Sequence, residues 1–283
     1  MGVKKHKAMT PGRRWGNVLE FEEITKASPE KSLTRPLRKS GGRNNLGRKT
    51  VGSMGGGHKR RYRVIDFMYS KKGLTGLVEA VEYDPNRSAR IALVRYEDGE
   101  RLYTIAPLGL RVGSTVQCGS GSKIEVGNSM PLKDIPLGSE VFCVELDPGR
   151  GAKIARSAGN SAMLDAKDGK NIHLRMPSGE VRLVSEEAYA TIGKVGNIDH
   201  ENVSYGKAGR MRYLGRRPRS RGVAKNPVDH PMGGGEGKSS GGRHPTTPWG
   251  KITRGLKTRK KAKASDRRIV KRRKTGKRGK SGG

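Results

Sequence analysis

Between residues 62 and 184 the chain alternates short apolar runs with Gly, Asp and Pro breaks, and it holds no sustained helical period. YRVIDF (Tyr62 to Phe67), GLVEAVEY (Gly76 to Tyr83), RIALVRY (Arg90 to Tyr96) and RLYTIA (Arg101 to Ala106) are rich in β-branched and aromatic residues and predict a first set of strands. Asp84-Pro85-Asn86 and Asp98-Gly99 punctuate them, and Asp-Gly supplies the left-handed backbone that a tight hairpin needs. A second set follows: EVFCVEL (Glu140 to Leu146), KIAR (Lys153 to Arg156), AMLDA (Ala162 to Ala166), NIHLRM (Asn171 to Met176) and EVRLV (Glu180 to Val184). Asp168-Gly169 and Ser178-Gly179 are its turns. Short strands spaced by roughly 8–12 residues point to small barrels or a sandwich. Residues 107–139 are Gly- and Pro-rich with weaker strands, so the division falls there. The expectation is an all-β protein with modules at 61–125 and 126–200, flanked by extensions at 1–60 and 201–283.

The pattern dissolves in those flanks. Residues 201–250 contain 11 Gly and 5 Pro, which break regular elements. Charge divides along the same lines. Residues 64–200 hold 17 Lys and Arg against 18 Asp and Glu. Residues 1–63 hold 17 against 4, residues 201–250 hold 10 against 3, and residues 251–283 hold 16 against 1. The formal net charge of +34 is therefore carried by the flanks. Such segments bury too little apolar surface to offset chain entropy by themselves. Arms that repel themselves need a polyanion to become compact, and nucleic acid is the polymer that fits.

Several classes drop out. No stretch approaches the ~20 apolar residues of a membrane span. MGVKKHKAMT lacks the apolar core of a secretory signal, and His6 stands where a myristoylation site needs Ser or Thr. Cys118 and Cys143 form no C-x-x-C pair and read as small buried residues of a reducing compartment. The six histidines, among them His58, His230 and His244, never recur at zinc-ligand spacing, so no metal site is expected.

Two glycine-rich basic segments carry the candidate chemistry. The first runs from KSGGRNNLGRK (Lys39 to Lys49) into VGSMGGGHKRRYR (Val51 to Arg63). Arg43, Asn44, Asn45 and Arg48 offer donors to phosphates and base edges, as do His58, Lys59, Arg61 and Arg63. Gly55, Gly56 and Gly57 let backbone come close to phosphate. The competing interpretation is a flexible solvated linker.

The second segment is preceded by Arg210, Arg212, Arg216, Arg217, Arg219, Arg221 and Lys225, and the planar guanidinium forks of the six arginines suit bidentate phosphate contact and base stacking. Acids are nearly absent there, so pairing within the chain cannot explain the run. In KNPVDHPMGGGEGK (Lys225 to Lys238) a P-loop is rejected, because Met232 occupies the first glycine position and no strand precedes it. An Asp229–His230 catalytic pair is disfavoured, since adjacent residues in an extended chain point apart and no nucleophile is placed. A loop wedged against RNA fits best, stiffened by Pro227 and Pro231, with Gly233, Gly234 and Gly235 allowing close backbone approach. Trp249, in HPTTPWGK (His244 to Lys251), either stacks on a base or anchors its own loop. The tail's KRRK (Lys271 to Lys274) matches a nuclear signal, which means little in so basic a chain.

At these segments the chain resembles the family of the bacterial-type second protein of the large ribosomal subunit. The matching stretches are SGGRNN (Ser40 to Asn45), GGGHK (Gly55 to Lys59), EYDPNRSARIALV (Glu82 to Val94), ARSAG (Ala155 to Gly159), GKVGN (Gly193 to Asn197), GKAG (Gly206 to Gly209), NPVDHPMGGGEG (Asn226 to Gly237) and HP…TPWG (His244 to Gly250). They cover about residues 35–255, and their ordered series is specific where any one glycine run is not.

The resemblance implies an oligonucleotide-binding-type (OB) barrel followed by an SH3-like barrel, with extensions that thread into large-subunit rRNA. It adds Arg87, Arg156, Lys207, Asn226, Asp229, Lys238 and His244 to the rRNA-binding set. It implies a structural, non-enzymatic role in large-subunit assembly, subunit association through small-subunit rRNA, tRNA binding and support of the peptidyl transferase centre. Neighbouring ribosomal proteins are its other partners. No small-molecule substrate and no cofactor are implied beyond rRNA-associated magnesium. The location is a ribosome, cytoplasmic, with an organellar one left open. His230 matches a histidine for which the family has been credited with catalysis; here it is assigned to packing against RNA. Many bacterial members carry a second His where this chain has Met232, which weakens any paired-histidine mechanism. The rivals are a DNA-binding architectural protein and an RNA-acting enzyme using Asp229 and His230.

Overall fold

The computed structural model describes residues 2–256, 259–260 and 262–273. Lys274 of the KRRK run and the tail after it lie outside the described residues. The chain divides into two compact units, one drawn from residues 1–37, 59–207 and 264–283, the other from residues 38–58 and 208–263.

The first unit carries the β-structure. Strand β1 (Val3–Lys5) pairs antiparallel with β2 (Asn17–Leu19), across a single helical turn, α1 (Pro11–Arg14), capped by Thr10. Strand β3 (Thr34–Pro36) pairs with β4 (Arg61–Arg63). Next come β5 (Thr75–Glu82), β6 (Ile91–Tyr96), β7 (Arg101–Ile105) and β8 (Thr115–Gln117), an antiparallel sheet in the order β7-β6-β5-β8. Strand β6, IALVRY, is buried at every position but Arg95, which is why it is an unbroken apolar run and not an alternating one. The Asp98-Gly99 turn forms as expected: Gly99 has φ +80 and its N–H donates to the Tyr96 carbonyl at 2.9 Å.

Strands β9 (Ser129–Pro131) and β10 (Glu140–Phe142) open a second sheet. The chain then breaks at Cys143, whose φ is +49. EVFCVEL therefore yields two strands, because β11 (Val144–Glu145) leaves the sheet of β10 to pair with β12 (Ala152–Ile154). Strands β13 (Ala162–Asp168), β14 (Asn171–Arg175), β15 (Val181–Ser185), β16 (Tyr189–Ile192) and β17 (Ile269–Lys271) complete the order β17-β15-β14-β13-β10-β16-β9. Asp168 pairs with Asn171 across Gly169, at φ +52, so this turn also lies where the sequence predicts it. Strands β1, β2, β3, β16 and β17 were not expected, while β8 and β9 are the weaker strands of residues 107–139. They are three or four residues long and lie among glycines or charges, too short to show a period. The class is the expected one: an OB-type barrel, then an SH3-like barrel, with long irregular basic extensions.

Three apolar clusters hold this unit. Met130, Leu132, Val141, Leu164 and Leu174 fill the second barrel, and Val78, Val81, Ala92 and Val94 cover one face of β5 and β6. The third joins the barrels: Ile91, Leu93 and Tyr103 of the first pack in one cluster with Phe142, Cys143, Ala152 and Val195. Phe142 is 1% exposed, and burying a side chain of that size stabilises by about 1.5–3 kcal/mol. Part of the N-terminal segment docks here too. Thr25 exchanges hydrogen bonds with Val81, its N–H donating to the carbonyl at 3.0 Å and its hydroxyl accepting from the N–H at 3.0 Å.

The second unit is built differently. It contains helix α2 (Ala208–Tyr213), a 3-10 turn over Gly222–Ala224 and little other regular structure. Its two segments meet through backbone: Gly55 N–H donates to the Gly215 carbonyl at 2.9 Å, His58 N–H to Tyr213 at 3.0 Å, and Arg217 N–H to Ser53 at 2.8 Å. Gly57, at φ +78, comes so close that a β-carbon would stand 2.7 Å from the Gly215 nitrogen. No residue of this unit belongs to any of the three apolar clusters. Among its described residues His230 is the only buried side chain.

Candidate nucleic-acid interface

Residues 38–58 and 208–263 together hold 21 Lys and Arg against two acids, Asp229 and Glu236. Arg43, Asn45, Arg48 and His58 stand exposed on the first segment. That segment is braced from within. The Lys39 ammonium donates to the carbonyls of Gly56, Gly57 and His58 at 2.8, 2.7 and 2.8 Å. Asn44 Oδ1 accepts from the N–H groups of Leu46 and Arg48 at 3.1 and 2.9 Å, so this side-chain oxygen shapes the turn.

On the second segment Arg212, Arg216, Arg217, Arg219 and Arg221 are exposed, and no ion pair among the described residues engages them. Arg210 is half-buried on α2, while Asn226, Lys238 and His244 are exposed. Lys59, Arg61 and Lys207 are exposed in the first unit.

His230 is 8% exposed and lies against Gly222, where a β-carbon would stand 2.4 Å from Cε1 and 2.6 Å from Nδ1. The Met232 N–H donates to His230 Nδ1 at 3.1 Å. Nδ1 is thus an acceptor, and the proton of the neutral ring belongs on Nε2. Asp229 is exposed and makes no hydrogen bond to the imidazole, its own N–H donating to the Asn226 carbonyl at 3.0 Å. The adjacent Asp and His do not form an orienting pair, and the chain is a turn over residues 227–229, not the extended segment expected. The glycines that follow allow close approach, and here the approach is to the chain itself. A β-carbon on Gly233 would meet the Asn226 carbonyl oxygen at 2.4 Å, and one on Gly234 would meet Pro227 Cγ at 2.8 Å.

Beside this loop lies a groove of about 420 Å³ lined by Arg219, Arg221, Lys225, His230, Thr246 and Trp249 among others. One wall is a tight hairpin. Thr246 bridges Ile252, Thr247 N–H donates to the Lys251 carbonyl at 2.7 Å, and Gly250 N–H returns to Thr247 at 3.0 Å. Pro248 and Gly250 are the first inner residue and the last residue of that four-residue turn, positions these residue types favour. Trp249 is displayed at its tip, 82% exposed. With so little of the ring covered, it does not anchor its loop. The Thr246 hydroxyl oxygen is buried without a hydrogen-bond partner.

Arg63 and Arg87 are engaged inside the first unit, while Arg156 stays exposed beside an aromatic ring. Arg63 is 9% exposed and donates to the Arg61 carbonyl at 3.0 Å, which withholds it from a phosphate. Arg87 Nε donates to the fully buried Asp84 at 2.6 Å. The Arg156 guanidinium lies 4.7 Å from the Phe67 ring centre, and that of Arg87 lies 5.7 Å from it. Sequence reasoning missed Lys39, Gly222 and Thr246. Lys39 borders the glycine run and Gly222 follows Arg221, but nothing local marks a lysine as a carbonyl clamp or a glycine as a floor for a distant ring.

Burial pushes the Cys118 and Cys143 thiols up to about 12, so both are protonated and inert as nucleophiles. Glu82 is 2% exposed and accepts from the Tyr103 hydroxyl at 2.6 Å, and its burial raises its carboxyl pKa from the ordinary value. Among the described residues no group of three His, Cys, Asp or Glu could hold a metal, and no helix is long and apolar enough to cross a membrane.

Two family profiles match the chain. Ribosomal Proteins L2, RNA binding N-terminal domain, covers residues 30–118, and Ribosomal Proteins L2, C-terminal domain, covers residues 125–250.

Proposed function

The chain belongs to the ribosomal protein L2 family, structural rRNA-binding proteins of the large ribosomal subunit, and from that premise we propose that its second unit is the main grip on 23S-type rRNA. One observation carries this: 21 cations face two acids in a unit without an apolar cluster. Self-repulsion opposes such a unit unless phosphates neutralise it. Residues 61–125 and 126–200 serve as the two barrel modules. The exposed residues Arg43, Asn45, Arg48, Arg212, Arg216, Arg217, Arg219 and Arg221 meet phosphates, by backbone electrostatics and shape more than by a sequence code.

From there the protein supports large-subunit assembly, subunit association through small-subunit rRNA, tRNA binding and the peptidyl transferase centre, in a cytoplasmic ribosome. It does none of the chemistry. His230, with Nδ1 engaged by Met232 and no bond to Asp229, packs its loop.

Affinity of the full chain for large-subunit rRNA, measured from low to high salt, tests the proposal. Twenty phosphate contacts give a log–log slope of about −14 to −18. A flat curve overturns it.

A further inference from the structure

We propose that the groove beside the 245–253 hairpin is a receptor for a single unpaired RNA nucleotide, its base stacked on Trp249 and its phosphate held by Arg219 and Arg221. This rests on the rRNA-binding reading of the second unit and goes further, naming the form of RNA this site takes.

The groove's volume, about 420 Å³, falls in the range of about 300–1,000 Å³ typical of sites for compact ligands. A continuous helix cannot enter such a recess, whereas one extruded base can. The walls supply what a nucleotide needs. Arg219, Arg221 and Lys225 bring positive charge to its lining. Trp249 adds a large exposed π-face, and a base covers it at no cost in unpaired polar groups. The platform is also pre-organised. The hairpin's cross-strand hydrogen bonds fix the turn, and the Thr246 N–H donates to Met232 Sδ at 3.4 Å, so little order remains to be imposed on binding. RNA recognition commonly works on bases splayed out of their stack, and aromatic rings are their usual platforms.

The chain has two tryptophans, Trp15 and Trp249. Trp15 lies outside the groove, so Trp15→Phe leaves Trp249 as the sole reporter in the full-length protein. Binding of large-subunit rRNA is followed by mobility shift and by Trp249 emission excited at the red edge. A single-stranded decaribonucleotide and its fully paired duplex are the comparison probes. The expected result is binding of rRNA with at least a twofold quench, reproduced by the single strand and not by the duplex. Trp249→Ala should then weaken rRNA binding about 5- to 150-fold, the range for one stacked base, at every salt concentration and with an unchanged salt slope. Arg221→Ala should instead lower that slope by about 0.7–0.9.

Bound rRNA with unchanged Trp249 emission overturns the nucleotide site and leaves the rRNA-binding reading standing. An equal quench by the duplex overturns the unpaired character of the ligand. Failure of rRNA to bind at all overturns both.

Discussion

Gly222 is the floor on which His230 rests: any β-carbon there would stand 2.4 Å from the ring's Cε1. In a unit with no apolar cluster, this imidazole is the only buried side chain among the described residues. The histidine thus does by packing and one hydrogen bond what a leucine does in an ordinary core, in a place where its ring still offers Nε2–H.

Gly222→Ala should expel that ring. Overpacking of this kind costs about 1–3 kcal/mol, and the Met232 N–H that donates to His230 Nδ1 loses its acceptor. Amide exchange at Met232 should accelerate about 5- to 150-fold, the same energy expressed as an opening equilibrium. Gly52→Ala is the control, because a β-carbon there meets nothing within 4 Å. Equal exchange in both variants would show that the ring has room to move.

Lys39→Met separates structural lysines from phosphate-binding ones. Its ammonium is committed to three carbonyls, so the loss falls on the order of residues 38–58. Charge-assisted hydrogen bonds contribute about 1.5–3 kcal/mol. Proteolysis within the segment should rise and rRNA affinity should fall, while the salt slope of binding stays that of the parent protein. A slope reduced by about one unit would instead mark Lys39 as a phosphate contact.

Glu82→Gln should change stability in a pH-dependent way. Burial raises the folded-state value above the ordinary 4.5, so between those two values the folded protein holds a proton that the unfolded chain releases. Stability from this group is therefore lost as pH rises through the window, and above it the ionised carboxylate is a constant cost. Its Oε1 makes no hydrogen bond, and the Lys26 ammonium stands 3.8 Å away. Relative to Glu82→Gln, the parent protein should gain as pH falls from neutral towards 4, measured by urea unfolding. A difference independent of pH would mean that the carboxyl titrates normally.

What could be read from the sequence was local. Asp98-Gly99 and Asp168-Gly169 foretold their hairpins because the backbone they need is written in two residues. The break at Cys143 could not be foretold, since positive φ at a non-glycine is imposed by surroundings such as the Tyr69 hydroxyl, which donates to its carbonyl. Nor could the pairing of the two glycine-rich basic segments. Gly57 and Gly215 are far apart in sequence, and each looks alone like an ordinary linker glycine. The arginine run at 210–221 was legible because its lack of acids is a compositional fact, whereas the burial that holds Arg63 against Arg61 and Asp84 against Arg87 depends on the packed fold around them.

The cluster common to both barrels bears on how the protein is made. When a growing chain has emerged as far as Gln117, all four strands of the first sheet exist, yet Phe142, Cys143, Ala152 and Val195 are still to come. Until then Ile91, Leu93 and Tyr103 lack the neighbours that cover them in the finished fold. The first barrel matures only when the second does, and an mRNA truncated between the two barrels encodes a product with its hydrophobic face uncovered, a substrate for chaperones and proteases.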